Sequence, residues 1–85
     1  MVLHKQLRVL SRGTPCVIVD VDSNISAYSG ASDNILSRLT STKSKYRNSF
    51  VKEVKLINED DDIFKDYEIN GKSFIRIAVK CKEDV

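Results

Sequence analysis

Eighty-five residues, 41% of them apolar and 31% charged, with three Gly and one Pro, describe an ordinary folded domain. A chain of this length buries roughly 60–65% of the surface that its unfolded form exposes, so it holds one modest core and excludes a second domain or a large cofactor cleft. The net charge of +2 is too near neutral to announce a nucleic-acid partner by itself.

The opening residues, from Met1 to Arg8, carry charges where a signal peptide needs an apolar run. No stretch approaches the ~18 apolar residues of a membrane span, so a cytoplasmic location and no membrane partner are expected. Leu3, Leu7 and Leu10 recur at helical spacing, with Arg8 and Arg12 toward the C-terminal end, and predict a short amphipathic helix that stops before Gly13 and Pro15. Cys16 to Asp22 predicts a strand in which Val17, Val19 and Val21 alternate with Ile18, Asp20 and Asp22. Asp22-Ser23-Asn24 is turn chemistry, and Ile25 to Ser29 returns antiparallel as far as Gly30. Ser32 resembles a helix N-cap, with Asp33 in the first turn and Ile35, Leu36 and Leu39 as the buried stripe.

From Thr40 to Ser49 the pattern lapses into ten residues with one aromatic and no aliphatic, which predicts a mobile basic loop over 40–49. Phe50 to Ile57 predicts a strand whose broken period of two implies a bulge or burial of both faces at its end. After the polar run Asn58 to Asp62, the segments Asp66–Ile69 and Lys72–Val79 flank Asn70-Gly71, a strong hairpin signal. A two-residue turn there pairs Ile69 with Lys72, Tyr67 with Phe74 and Phe64 with Ile77.

The order helix, strand, strand, helix, strand, strand, strand predicts an α+β domain: a small, mainly antiparallel sheet of about five strands with two short helices on one face. A small, partly closed barrel is the alternative. Leu7, Val17, Val19, Leu36, Leu39, Val54, Ile75, Ile77 and Val79 are the expected core.

Enzymatic chemistry finds little support. Asp20-Val21-Asp22 begins like a phosphatase or calcium-loop motif, but Asn24, Ile25 and Ala31 stand where those motifs need other residues. His4 is the only histidine, and Gly13, Gly30 and Gly71 are isolated, so no catalytic pair, metal set or phosphate loop forms. Neither a cofactor, a metal nor a small-molecule substrate is expected. The Glu59-Asp60-Asp61-Asp62 run reads as a solvated loop. Cys16 and Cys81 read as small buried hydrophobes, and their spacing leaves open whether they are neighbours.

Two surfaces remain. Residues 1–57 carry a net charge of +5 and residues 58–85 a net of −3. Arg38, Lys43, Lys45, Arg47, Lys52 and Lys55 gather around the 40s with Tyr46 among them, a pattern that grips phosphates and stacks a base. The other surface is the Tyr67–Phe74 pair. On a sheet face that two short helices leave open, it would form, with Ile69, an apolar patch bordered by Lys72 and Arg76, as the centre of a protein interface does.

Between residues 5 and 57 the spacing of the first helix, Thr14 to Asp20, the turn, Ala27 to Gly30, the second short helix and the Val51–Ile57 strand resembles small uncharacterised accessory proteins of phages and prophages of Gram-positive bacteria. That resemblance implies a context only, the modulation of a host protein by binding. The leading expectation is therefore a non-enzymatic protein-binding module whose partner is a host protein or a second copy of the chain. A nucleic-acid-binding accessory protein using the basic 38–55 segment is the alternative.

Overall fold

The structure is a computed structural model that describes residues 1–67 and 71–81. In chain order it places helix α1 at Leu3–Val9, strand β1 at Pro15–Asp20, strand β2 at Ile25–Ala31, helix α2 at Ser32–Ser41, strand β3 at Phe50–Asn58 and strand β4 at Ser73–Lys80, with single 3-10 helices at Lys45–Asn48 and Asp62–Asp66. The class is α+β, as the patterning implies. No helix among the described residues is long and apolar enough to cross a membrane.

The sheet differs from the expected one. It has four strands in the order β2-β1-β4-β3, and it is mixed: β1 pairs antiparallel with β2, β4 antiparallel with β3, and the central β1 and β4 run parallel. It is open, with β2 and β3 as edges, rather than a partly closed barrel. The expected strand at Asp66–Ile69 is replaced at its start, where Asp66 ends the second 3-10 helix and Tyr67 caps it. Ile69, its pairing with Lys72 and the Asn70 half of the turn lie outside the described residues. Phe74 finds its strand neighbour in Ile57 of β3, and Ile77 pairs with Val54 rather than facing Phe64.

Central position explains why β1 is buried from Cys16 to Asp20 on both faces. On one face Cys16 and Ile18 of β1 and Ile77 and Val79 of β4 pack under Leu3 and Leu7 of α1 and Ile35 and Leu39 of α2. On the other, Val17, Val19, Ile57 and Phe74 form a smaller core against Ile63, Phe64 and Tyr67. The face that two helices leave open is thus covered by the second 3-10 helix, and Phe74 is only 1% exposed.

Of the expected core, Leu36 and Ile75 are half-buried and Val54 is 44% exposed. Val54 and Leu56 lie on the helix side of β3, the edge strand, and stand clear of the main core cluster. That edge is blunted at both ends. Val51 N–H donates to the Met1 carbonyl, a bulge interrupts the register between Val51 and Glu53, and Asn58 N–H donates to Asp61 Oδ2 at 2.7 Å.

The two cysteines are free and distant. Cys16 lies opposite Ile75 in the parallel register, and Cys81 follows β4's far end, roughly 20 Å further along at ~3.3 Å per residue. Burial pushes the Cys16 thiol up to about 11.

Candidate functional site: a basic face on the helix side

The segment expected as a mobile loop is built into structure. α2 continues through Thr40 and Ser41, and Thr42 Oγ1 and N–H both donate to the Arg38 carbonyl and close its end. Lys43 adopts a left-handed φ of 51° and turns the chain, after which Ser44 N–H reaches back to the Leu39 carbonyl. Ser44 Oγ then accepts the Tyr46 N–H and caps the 3-10 helix Lys45–Asn48. Ser49, fully buried, closes it by donating through both N–H and Oγ to the Tyr46 carbonyl.

One long-range hydrogen bond anchors this turn to the sheet. Tyr46 Oη donates to Asp20 Oδ2 at 2.8 Å, where β1 ends. Asp20 is 5% exposed, and its Oδ1 accepts the Asp22 N–H at 2.9 Å. The Tyr46 hydroxyl, then the N–H groups of Asp22 and Ser23 and the Lys45 charge, hold the Asp20 carboxyl below its ordinary range despite burial. The same bond, helped by burial, pushes the Tyr46 phenol up to about 12. Cys81 lies close enough for burial and the Asp20 charge to raise its thiol as well.

A second tie brings in α1. Leu3 N–H donates to the Ser49 carbonyl at 2.9 Å, which sets the first turn of α1 beside the 3-10 helix. Arg47 and Arg8 accordingly act on His4: partial burial first, then the charges of Arg47, Arg8 and Lys5, lower the imidazole's pKa. The His4 Nδ1 atom is buried without a hydrogen-bond partner.

The outcome is a face carrying Lys5 and Arg8 from α1, Arg38 from α2, Lys43 after it, and Lys45 and Arg47 from the 3-10 helix. Among the described residues none of these six has a carboxylate at ion-pair distance, whereas Arg12 pairs with Asp33, Arg76 with Glu53 and Lys80 with Asp22. Thr40, Lys43, Ser44, Arg47 and Asn48 line an open cleft of about 350 Å³ without an acidic or aliphatic side chain. Its lining offers the cations of Lys43 and Arg47 beside the polar side chains of Thr40, Ser44 and Asn48, groups of the kind that hold a phosphate.

Of the basic candidates, the structure thus brings Lys43 and Arg47 together in one cleft, sets Arg38 and Lys45 over the touching rings of Tyr28 and Tyr46, and leaves Lys52 apart at the β3 bulge. Tyr46 is inside the fold rather than on the face: half-buried, bonded to Asp20, with its ring edge against Tyr28 at 6.2 Å. Sequence reasoning missed Lys5, Arg8 and His4. Their signal was the three-residue interval between Lys5 and Arg8 on the polar side of α1, but only the tertiary contact with Ser49 places them here.

The aromatic candidates stand differently. Tyr67 and Phe74 do meet, with ring centroids 5.2 Å apart, but Phe74 is enclosed by Tyr67 and Phe64. Lys72 is exposed, and Arg76 is drawn to Glu53 at 3.5 Å. No surface patch centred on Phe74 exists. In comparisons with known proteins no family model matches the chain, and no curated protein or solved structure matches it significantly.

Proposed function

We propose that the chain is a non-enzymatic binding module whose basic face holds the phosphate backbone of a nucleic acid. The observation that carries this reading is the set of six cations drawn from α1, α2 and the turn and 3-10 helix after it, none of which has a carboxylate at ion-pair distance among the described residues. Like charges gathered without partners repel one another and weaken the fold, a cost that an external polyanion reverses. The acidic run Glu59–Asp62 leads into the 3-10 helix on the opposite face of the sheet, which keeps that run away from the cations and leaves their side to attract phosphate. The protein-interface reading loses support from the structure, since the aromatic anchor it needs is buried.

The test is fluorescence anisotropy of a labelled nucleic acid titrated with the protein between about 50 and 200 mM salt. Non-specific backbone binding gives a Kd of roughly 10⁻⁴–10⁻⁶ M at physiological salt, with log K falling by about 0.9 per phosphate contact for each decade of salt. The double variant Lys43→Ala, Arg47→Ala should keep its fold and lose about two contacts' worth of that slope. Binding that ignores salt, or that survives the double variant unchanged, refutes the proposal.

A further inference from the structure

The proposed reading leaves open which nucleic acid the face takes, and the aromatic side chains decide it. Single strands are held by combining phosphate contacts with bases stacked on exposed aromatic rings, each stack contributing about 1–3 kcal/mol. Two tyrosine rings lie near the basic face; both are half-buried, and a cation of that face lies over each. Tyr28 and Tyr46 meet edge to face at an interplanar angle of 88°. The Arg38 guanidinium lies over the Tyr28 ring at 5.0 Å, and Lys45 Nζ over the Tyr46 ring at 5.2 Å. The Tyr46 hydroxyl is committed to Asp20. On the side of each ring that faces the cations, a base could stack only by lifting away the group that would hold its phosphate, so stacking and phosphate contact compete there. Phe64, Tyr67 and Phe74 are packed on the far side of the sheet, and half-buried Phe50, next to helix-side Val51 and in register with Lys80, falls on that far face as well.

We infer that the ligand class is double-stranded nucleic acid, bound through its phosphates alone and without regard to sequence. This rests on the proposed function and narrows it. With the rings beside the face carrying its own cations, affinity follows the linear density of phosphate charge, which is higher in a duplex. Counterion release gives slopes of about 0.9 per contact for duplex and about 0.7 for single strands, so for about four contacts at ~50 mM salt the duplex gains roughly tenfold.

The experiment uses the full chain with three probes at ~50 mM salt: a 20-base-pair DNA duplex of mixed sequence, a second duplex of unrelated sequence, and the single strand of the first. The expected result is equal affinity for the two duplexes and roughly tenfold weaker binding of the single strand. The chain has three Tyr and no Trp, so tyrosine fluorescence reports stacking directly and should stay unquenched by the single strand. A single strand that binds as tightly as the duplex, or quenches tyrosine, overturns the inference while leaving the basic-face reading in place. Duplexes that differ severalfold also overturn it, because that requires contact with bases. Failure to bind any of the three probes overturns both. As a further variant, Arg38→Ala uncovers Tyr28; it should weaken duplex binding, and narrow the gap between duplex and single strand.

Discussion

Replacing Tyr46 with Phe removes one oxygen and tests the joint that holds the basic 3-10 helix to the sheet. The ring and its packing stay, so the lost interaction is the 2.8 Å bond from the phenol to Asp20 Oδ2. Hydrogen bonds to a charged group contribute about 1.5–3 kcal/mol, more than neutral ones, because the unmatched partner stays out of water. Asp20 is 5% exposed and retains the Asp22 N–H, so about 2 kcal/mol is the expected loss. For a domain of this size that lowers Tm by roughly 8–16 °C. The pH dependence distinguishes this bond from general damage. The folded Asp20 carboxyl lies below its ordinary 3.8, so its contribution is complete above that pH and is lost as pH falls through the folded value. The gap between wild type and Tyr46→Phe should therefore close in acid. At the alkaline end the folded phenol stands at about 12 against an ordinary 10, so wild-type stability held below pH 10 is lost as pH rises through 12. Thermal melts followed by circular dichroism across pH give both limbs, and a titration of tyrosine absorbance should show one late phenol that disappears in the variant. A variant that melts with the wild type at neutral pH refutes this account of the joint.

Phe74→Ala should cost about 3–5 kcal/mol by emptying the space between Ile57, Phe64 and Tyr67, measured as a urea midpoint; a fully stable variant would show that Phe74 is not enclosed. Neighbours on β3 should respond in opposite ways, with Ile57→Ala losing about 2–5 kcal/mol and Leu56→Ala far less, because Ile57 is fully buried and Leu56 is 53% exposed; equal losses would mean the face assignment of β3 is wrong. His4 titrates below its ordinary 6.5 in the folded chain, so the unfolded chain binds more protons in that window and stability falls as pH drops below 6.5. His4→Gln should flatten that fall between pH 7.5 and 5.5 in denaturant melts, and a variant that retains it in full would assign the titration elsewhere.

Much of the fold was legible where the pattern is local. The leucines at 3, 7 and 10, the apolar run from Cys16, the turn at Asn24 and the stripe of Ile35 and Leu39 each mark an element the structure contains. Asn24 adopts the left-handed φ of 56° that its turn requires. Pairing was less legible. The neighbour of β4 is β1, more than fifty residues earlier, and nothing in either sequence encodes a parallel register across that distance, whereas Asn70-Gly71 advertises a local one. The interval from Ile63 and Phe64 to Tyr67 has a helical rather than an alternating period, which was the available sign that this stretch caps the sheet instead of joining it. In β3 the alternation of Val54 and Leu56 with charged residues marks one face correctly, but the buried residue is Ile57, out of phase with them, because edge position decides coverage. The basic site was legible in composition between Arg38 and Arg47. Its other half, on α1, depends on the Leu3–Ser49 hydrogen bond, and the enclosure of Tyr46 depends on Asp20, 26 residues away in the chain.

That distant carboxylate shows how the fold and the basic face depend on each other. A turn of Lys, Tyr, Arg and Asn has no apolar stripe with which to hold itself against a sheet, and the repulsion among Lys43, Lys45 and Arg47 works to lift it away. Tyr46 solves both problems, since its ring joins the margin of the main core while its hydroxyl reaches the only buried carboxylate among the described residues. Asp20 places its negative charge beneath the cations, where it steadies the turn without meeting any of them at ion-pair distance. Among the described residues the cations are left without a carboxylate at ion-pair distance, which favours attraction of phosphate. A carboxylate at the surface beside Lys43 or Arg47 would hold the turn less firmly, as an exposed ion pair, and would neutralise the face. The burial of Asp20 behind a tyrosine lets one short turn be both anchored and positively charged.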